Sequence, residues 1–274
     1  MSNETKVVLV TGASTGFGCA IAQALASSGH RVFGTARLPQ AHASDGLTML
    51  RLDVTQDDSV AACVAELVRT AGRIDAVINN AGSGIAGAIE DTTAAEAQAQ
   101  FETNFFGAHR VCRAVLPQMR AQRAGVIINM SSLAGRIAVP FQGFYSATKF
   151  AIEAYSEALR MEVRPFGIAV SMIEPGDFAT AFTANRRITA ASAPASPYFD
   201  SMRKAIAIMA RDEQANRDLS PVIRAVQSIL KSRRPALRYP RATPVQRTFN
   251  ALRPFLPQAV AEYLIRDAYG LKRS

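Results

Sequence analysis

Short, continuously apolar runs alternate along the chain with longer alanine-rich segments, and this alternation limits the possible folds more than any other feature. Neither Val7-Val8-Leu9-Val10 nor Val126-Ile127-Ile128 contains a polar residue. Strands of this kind are buried on both faces, which requires helices on each side of a parallel sheet. We therefore predict an α/β fold with a doubly wound parallel sheet of about seven strands. The strands are predicted over Val7 to Val10, Arg31 to Thr35, Leu47 to Leu52, Ala76 to Ile78, Val126 to Met130, Ile168 to Ile173 and Ala236 to Pro240.

Helices are predicted between these strands, where strong helix formers are concentrated. A glycine follows each of four such segments and precedes a strand, the place where a helix most often ends in a left-handed residue. The glycines are Gly29, Gly72, Gly125 and Gly167, and the helices before them are predicted over Cys19 to Ser28, Ser59 to Thr70, Ala94 to Met119 and Tyr145 to Val163.

The C-terminal third of the chain differs in composition. The segment Ala179 to Pro197 is rich in Ala, Ser, Thr and Pro and lacks periodicity, which predicts a mobile loop. Apolar residues recur at helical spacing from Val222 to Leu230 and predict a further helix. We interpret residues 1–274 as one domain, with residues 6–180 as its core and residues 181–274 as a substrate lid, a last strand and C-terminal helices.

Lysine and arginine outnumber aspartate and glutamate by 31 to 22, which gives a net charge of +9. Basic residues are concentrated in Lys231 to Arg241, and the arginine cluster near Arg233 and Arg234 lacks a recognition motif and interleaved aromatic residues. We therefore predict a solvated surface and no nucleic-acid partner. No apolar stretch reaches the ~18 residues of a membrane span. The cysteines and histidines have no metal-ligand spacing, and we expect a cytoplasmic protein without a metal site.

A glycine-rich turn, Thr11 to Gly18, joins the first predicted strand to the first helix. Glycines there allow the backbone to approach a pyrophosphate, and the free NH groups at the positive end of the helix bind its charge. The spacing differs from the common Gly-x-Gly-x-x-Gly, and a purely structural turn is the alternative. The sequence thus predicts a dinucleotide site in a Rossmann-type sheet. Its residues in this turn are Gly12, Ser14, Thr15, Gly16, Phe17 and Gly18.

The end of the second predicted strand indicates which dinucleotide binds. Enzymes that use NAD commonly have an acidic residue there, which accepts the ribose hydroxyls. In this chain the strand ends in Thr35-Ala36-Arg37, with a guanidinium in place of the carboxylate. Because a guanidinium suits a bidentate grip on a 2′-phosphate, we predict NADP(H) in preference to NAD(H).

Tyr145 and Lys149 lie four positions apart on a predicted helix, so their side chains project from one face. An ammonium beside a phenol stabilises the phenolate, and a pKa shift from ~10 to ~7 requires about 4 kcal/mol. The pair alone is equally compatible with a surface contact. Ser132 follows the strand Val126 to Met130, at an edge of the sheet where its hydroxyl can bind a carbonyl oxygen. Ser131 is an alternative, because it follows the same strand and alternation directs the two hydroxyls to opposite faces.

Five motifs together resemble those of the classical short-chain dehydrogenase/reductase family in order and spacing, and Ser132 has the family's separation from Tyr145 whereas Ser131 does not. Overall the sequence is most similar to the branch with retinol and 17β-hydroxysteroid dehydrogenases. The resemblance implies that Tyr145 donates a proton to the carbonyl oxygen, which Ser132 positions. It implies that Lys149 lowers the tyrosine pKa and holds the nicotinamide ribose, and that Asn104 kinks the long helix and supports a water near the lysine. The motifs are Thr11 to Gly18, Asn79-Asn80-Ala81-Gly82, Ser132, Tyr145-x-x-x-Lys149 and Pro175-Gly176.

The same resemblance implies further contacts with the cofactor. Asp53, followed by Val54, would accept a hydrogen bond from the adenine amine, and a helix cap is the alternative role. Asn80, Ala81 and Gly82 would line the adenosine ribose, where a simple turn is the alternative. Phe178 occupies a position where the family commonly has an aliphatic residue. The expected nicotinamide loop contains Pro175, Gly176, Phe178 and Thr180.

These features predict an NADP(H)-dependent oxidoreductase that interconverts a carbonyl and an alcohol by hydride transfer, with Tyr145 as general acid or base. A non-catalytic NADP(H)-binding or sensing protein on the same fold is the alternative. The segment after Gly176 has few carboxylates and much apolar surface, which predicts a small apolar substrate. Aromatic residues expected to contact it, or else to belong to the core, are Phe141, Phe144, Tyr198 and Phe199.

The tail from Thr243 to Leu271 is amphipathic and basic. We expect it to pack beside the substrate cleft or across a subunit contact, and a peripheral contact with a membrane is the alternative. The family resemblance implies a homodimer or homotetramer built on the helices that contain Asn104 and Tyr145.

Overall fold

The computed structural model describes residues 4–39 and 46–271. Strands form in this part of the chain wherever the sequence predicts them, and two very short strands are added. In chain order the strands are β1 (Val7–Val10), β2 (Arg31–Ala36), β3 (Leu47–Arg51), β4 (Ala76–Asn79), β5 (Ile85–Ala86), β6 (Gly125–Met130), β7 (Ile168–Pro175), β8 (Arg187–Ile188) and β9 (Arg238–Arg241).

Seven strands form one parallel sheet in the order β3-β2-β1-β4-β6-β7-β9. The direction of progression reverses between β1 and β4, so the carboxyl ends of these two strands flank an open crevice. This crevice is the usual ligand position in such sheets. The predicted α/β fold with a parallel sheet between helices is confirmed.

The helices described by the structure alternate with the strands as the sequence predicts. The segment predicted as one helix over Ala94 to Met119 is in fact two helices joined by a π-helical turn, Glu102–Phe106. In chain order the helices are α1 (Gly16–Ser27), α2 (Asp57–Ala71), α3 (Ala94–Phe101), α4 (Gly107–Gln122), α5 (Gly143–Val163), α6 (Ala181–Ala184), α7 (Phe199–Ala215), α8 (Ser220–Lys231), α9 (Pro244–Leu252) and α10 (Gln258–Ala268).

The sheet carries an apolar core on each face because successive strand residues point to opposite sides. On one face, Leu9 and Val77 pack with helices α2, α4 and α5. On the other face, Val8 and Ile78 pack with α1 and α8. This double burial explains why the strands have continuous apolar sequences, and it holds the carboxyl ends of β1, β4 and β6 in fixed positions.

The helix stop predicted at Gly125 is wrong. Helix α4 ends at Gln122, and Arg123 takes the left-handed position with φ of 52°. Gly125 begins β6, where an added Cβ atom would lie 2.5 Å from the Met119 sulfur. The glycine is therefore needed for the close approach of α4 to the sheet, rather than for a left-handed turn.

The segment predicted as a mobile loop over Ala179 to Pro197 contains helix α6 and strand β8. Strand β8 pairs in parallel with β5, and the Arg187 NH donates to the Gly84 carbonyl at 2.9 Å. Two-residue strands are too short to give a periodic signal, which explains why the sequence did not predict them. This small sheet attaches the segment to the body beside the crevice.

The C-terminal tail folds into α9 and α10, connected by a single 3₁₀ turn, Arg253–Phe255. None of the helices in the described ranges is long and apolar enough to cross a membrane.

Candidate active site

The glycine-rich turn after β1 has the backbone shape that the sequence predicts. Gly12 and Gly16 have φ of 66° and 57°, a region that residues with a Cβ atom rarely adopt. Gly18 is required because its backbone packs closely against that of Gly12, where an added Cβ atom would lie 2.2 Å from the Gly12 carbonyl oxygen. Thr15 precedes α1 and makes no side-chain cap, and the first turn of α1 has no acidic residue. The NH groups of this turn are therefore suited to an anionic ligand.

Asn80 fastens this turn to the end of β4. Its amide nitrogen donates to the carbonyl oxygens of Thr11 and Gly12 at 2.9 and 3.0 Å. The Thr11 hydroxyl in turn accepts from the backbone NH groups of Asn80 and Ala81. Asn80 thus shapes the turn as well as lining the crevice, where Ala81 and Gly82 lie beside it.

The far end of the crevice contains Arg37, Asp53 and Val54. Arg37 is exposed at the end of β2. Asp53 is not a helix cap: Thr55 donates to its Oδ1 from both the backbone NH and the hydroxyl, at 3.0 and 2.8 Å. Those hydrogen bonds, followed by the charges of Arg37 and Arg51, lower the pKa of Asp53. The end of the crevice therefore combines an exposed guanidinium with a charged carboxylate.

Ser132, Tyr145 and Lys149 meet at the opposite end of the crevice. Ser132 lies two residues past β6, directly before the 3₁₀ turn Leu133–Gly135, and Tyr145 lies in the first turn of α5. A hydrogen bond links their hydroxyls. The Lys149 ammonium lies 5.7 Å from the centre of the Tyr145 ring and donates to the Met130 carbonyl at 2.8 Å. Ser131 is buried and lies near Gly135, so Ser132 is the residue that faces Tyr145.

The pKa of Tyr145 is raised to about 12, mainly by burial, although the hydrogen bond from Ser132 lowers it. This direction is opposite to the lowering that the family resemblance implies. The reason is that Lys149 bonds to a backbone carbonyl rather than to the phenol, while the phenol loses its hydration. Burial lowers the pKa of Lys149 to about 8. At neutral pH Tyr145 is therefore protonated and Lys149 is mostly charged.

Asn104 lies in the π-helical turn between α3 and α4, so the predicted kink is present. Its buried side chain accepts from the Ser83 NH at 2.9 Å and donates to the Ser83 carbonyl at 3.0 Å. The same amide nitrogen lies 3.3 Å from the Thr148 hydroxyl, next to Lys149. Asn104 therefore connects the strand-β4 loop with the helix that carries the tyrosine and the lysine.

The loop after β7 closes the middle of the crevice. The Pro175 carbonyl accepts from the Ser132 hydroxyl at 3.5 Å, and Gly176 fits against Ala242, which an added Cβ would approach to 2.7 Å. The Phe178 ring packs edge-on against Phe17, with ring centres 5.3 Å apart. An aromatic residue is accommodated at this position because Phe17 provides a matching ring. The last residue of the predicted set, Thr180, caps α6.

All of these groups line one cavity of about 1110 Å³, which runs from Arg37 to Tyr145 and beyond. Of the predicted site residues, Gly18 alone does not line the cavity, because Gly18 packs against the backbone of Gly12 inside the turn. The aromatic residues predicted to contact a substrate are absent from the lining of the cavity, whereas Phe182, whose ring lies 5.3 Å from that of Tyr145, is part of it. The residues that the sequence placed wrongly are Phe141, Phe144, Tyr198 and Phe199.

An acidic wall next to Tyr145, formed by Asp177, Asp212 and Glu213, corrects the expectation of few carboxylates. Glu213 forms an ion pair with the buried Arg186. Burial raises the pKa of Asp177 to about 6, against a hydrogen bond from Gln246. No pattern in the sequence indicates this wall, because Asp177 follows β7 whereas Asp212 and Glu213 lie near the end of α7.

The C-terminal tail forms the outer wall of the same cavity. This agrees with the prediction that the tail packs beside the substrate cleft. It contributes residues from both helices and from the turn that follows them. The tail residues that line the cavity are Val245, Gln246, Phe249, Leu264, Ile265, Ala268 and Tyr269.

A parallel sheet with a glycine turn at its crevice, an open helix N-terminus and a tyrosine-lysine pair defines a nucleotide-binding α/β oxidoreductase. The family model for short chain dehydrogenases matches residues 6–191, and the chain belongs to this family. The NH groups of the turn and the exposed Arg37 fit a nicotinamide dinucleotide, the cofactor typical of the family.

Relatives match over nearly the whole chain. A 3-ketodihydrosphingosine reductase from Bacteroides thetaiotaomicron is 41% identical over 269 residues, covering 98% of this chain and 100% of the relative. Retinol dehydrogenase 8 from Homo sapiens is 33% identical over 263 residues, covering 87% and 82%. Among solved structures, a short-chain dehydrogenase from Streptomyces avermitilis is similar with a TM-score of 0.80 and 32% identity, covering 98% of this chain and 100% of the other.

Proposed function

We propose that this protein is an NADP(H)-dependent reductase that converts an apolar ketone or aldehyde into an alcohol. One observation carries the proposal. The protonated Tyr145 hydroxyl, bonded to Ser132 and backed by the Lys149 ammonium, opens into the same cavity as the glycine turn. A proton donor and a dinucleotide site in one cavity are what carbonyl reduction requires.

The glycine turn and the loop after β7 would hold a nicotinamide dinucleotide in this cavity, and that cofactor would supply the hydride for the carbonyl carbon. Tyr145 donates its proton to the carbonyl oxygen, and Ser132 holds that oxygen by a hydrogen bond. The Lys149 ammonium, fixed by the Met130 carbonyl, stabilises the negative charge that develops on the tyrosine oxygen. Asn104 is a positioning residue, because its bond to Thr148 holds the helical turn that carries Lys149.

Arg37 supports the choice of NADP(H) over NAD(H). Its side chain is exposed at the end of β2, and it lines the cavity with Ser14 and Thr15. The carboxylate that would accept ribose hydroxyls is missing at this strand end. A guanidinium there provides two parallel donors for a 2′-phosphate.

Two properties of the cavity favour a substrate with a long apolar chain and a cationic group beside the carbonyl. Phe182, Phe249 and Ile265 give it apolar walls, and the acidic wall of Asp177, Asp212 and Glu213 lies next to Tyr145. The compound named in the Bacteroides relative, 3-ketodihydrosphingosine, is a long-chain ketone with an amino group next to the carbonyl. We propose a ketone of this type as the substrate.

A panel of matched ketones tests this function. Each long-chain amino ketone is paired with the same ketone without the amino group, and oxidation of NADPH is followed by its absorbance. We expect the amino ketones to have a kcat/KM higher by roughly tenfold or more, the value of a charge-assisted hydrogen bond. Equal values for both members of each pair would contradict the role of the acidic wall. No turnover of any ketone or aldehyde would contradict the function.

We further propose a homodimer or homotetramer in a reducing, cytoplasmic compartment. The π-helical turn before α4 exposes Phe106, and α5 exposes Phe150 and Met161, which supports a subunit contact. Cys19, Cys63 and Cys112 are free thiols, which supports a reducing compartment. Light scattering tests the assembly, since a mass equal to the 29.4 kDa of one chain would contradict it.

A further inference from the structure

We propose that the C-terminal helices dock the protein on an anionic lipid bilayer, with the mouth of the cavity directed at the lipid. The proposal rests on the proposed function in one respect, that the substrate has a long apolar chain. The surface itself is a property of the tail. We call it the tail face, and it consists of Val245, Leu252, Phe255, Val260, Tyr263 and Leu264.

The tail face exposes large apolar side chains to an unusual degree. Phe255 is 84% exposed, Val245 78% and Tyr263 62%. Single apolar residues are normal on a soluble protein, whereas a contiguous apolar surface marks an interaction site. The tail face therefore requires a partner that covers apolar groups.

The exposed residues form stripes rather than scattered points. Val245, Phe249 and Leu252 recur at helical spacing on α9, and Val260 and Leu264 lie one turn apart on α10. Residues at this spacing share one face of a helix. The 3₁₀ turn between the two helices adds the most exposed side chain, that of Phe255.

These stripes continue into the cavity. Val245, Phe249 and Leu264 line the same cavity as Tyr145. Val245 and Leu264 are also exposed to solvent. Apolar side chains of the tail face therefore extend from solvent into the lining of the candidate active-site cavity. A long-chain substrate can pass along this surface from a bilayer without exposure of its chain to water.

The charge of the tail determines which bilayer fits. From Pro244 onward the sequence contains two acidic residues, Glu262 and Asp267, and five basic residues, Arg247, Arg253, Arg266, Lys272 and Arg273, of which the last two lie outside the described residues. The whole chain has a net charge of +9. An apolar surface within a basic segment is typical of helices that bind at the interface of anionic membranes. A second copy of this chain would bring two positively charged surfaces together and is the less favourable occupant.

Co-sedimentation with lipid vesicles tests the proposal without any substrate. Phosphatidylcholine vesicles with and without phosphatidylglycerol are mixed with the wild type, with Phe255→Ser, and with Leu38→Ser as a matched control. Leu38 has the same exposure of 84% but lies far along the chain from the tail, at the end of β2. We expect the wild type and Leu38→Ser to bind the vesicles that contain phosphatidylglycerol. Phe255→Ser should bind them roughly tenfold or more weakly, because the exposed aromatic side chain that would insert into the lipid is lost.

Several results would overturn the proposal. They are the absence of wild-type binding to either vesicle, equal binding to both vesicles, and equal losses for the two variants. A dimer that Phe255→Ser dissociates, without vesicle binding by the wild type, would assign the tail face to a second copy of the chain. Thermal unfolding of each variant confirms that it is folded. Because no turnover is measured, a protein that reduces no ketone can still bind vesicles, so the two proposals can fail separately.

Discussion

Replacement of Tyr145 by phenylalanine should lower kcat for ketone reduction by roughly 10²- to 10⁴-fold, the contribution of a positioned general acid. The ring of Tyr145 packs against Phe182 and lies under the Lys149 ammonium, and Tyr145→Phe keeps both contacts. Only the proton donor and its hydrogen bond with Ser132 are removed. Binding of NADPH, measured by fluorescence, should change little. The loss should therefore appear in kcat rather than in the affinity for the cofactor.

Tyr155→Phe is the matched control for this prediction. Tyr155 lies on the same helix, α5, and its hydroxyl contacts His109 at 3.3 Å, away from the cavity. Turnover by this variant should stay close to that of the wild type. Turnover by Tyr145→Phe within a few-fold of the wild type would contradict the assignment of Tyr145 as proton donor.

Replacement of Arg37 by alanine should raise the Kd for NADPH by roughly 10- to 150-fold, because a hydrogen bond to a charged partner contributes about 1.5–3 kcal/mol. The Kd for NADH should change by less than about twofold, since NADH has no 2′-phosphate for the guanidinium to bind. The variant should therefore lose most of its preference for NADPH. Titration of both cofactors by fluorescence gives the two constants.

Arg51→Ala controls for the loss of positive charge near Asp53. Both Arg37 and Arg51 lower the pKa of Asp53 through their charge, but only Arg37 lines the cavity. Arg51→Ala should leave the ratio of the two dissociation constants nearly unchanged. Equal weakening of NADPH and NADH by Arg37→Ala would show that Arg37 does not recognise the 2′-phosphate.

The sequence predicted the parts of the site that depend on short-range geometry. Tyr145 and Lys149 share a face because they lie one helical turn apart, and Ser132 reaches them because it follows a buried strand of a parallel sheet. The glycine turn is equally local, since Gly12 and Gly16 need left-handed backbone angles. Patterns of this kind depend on residues that are close together along the chain, so a single sequence is enough to detect them.

Features that depend on contacts between distant segments were missed. The acidic wall forms only because helix α7 brings Asp212 and Glu213 to the loop after β7 that contains Asp177. The raised pKa of Tyr145 depends on burial, which spacing along the chain cannot give. The small sheet of β5 and β8 joins two-residue segments about a hundred residues apart, too short for any periodicity to appear.

The left-handed residue after α4 shows a different limit. Glycine is the residue type that most often ends a helix, which is why the sequence predicts a stop at Gly125. In the structure Arg123 has the left-handed φ angle, and Gly125 starts a strand that packs against Met119. The preference of glycine for such angles is a small free energy, and the packing of α4 on β6 outweighs it. Propensity therefore located the end of the helix to within a few residues and assigned the wrong residue to the turn.

Transfer of deuterium from NADPH to the ketone distinguishes a reductase from a protein that only binds the cofactor. The wild type is incubated with NADPH that carries deuterium at the transferable position of the nicotinamide, together with a long-chain ketone, and the alcohol is analysed by mass spectrometry. We expect an alcohol with one deuterium on the carbinol carbon from the wild type, and almost none of this product from Tyr145→Phe. Tight binding of NADPH without deuterated alcohol from any ketone or aldehyde would contradict the account and favour a non-catalytic NADP(H)-binding protein.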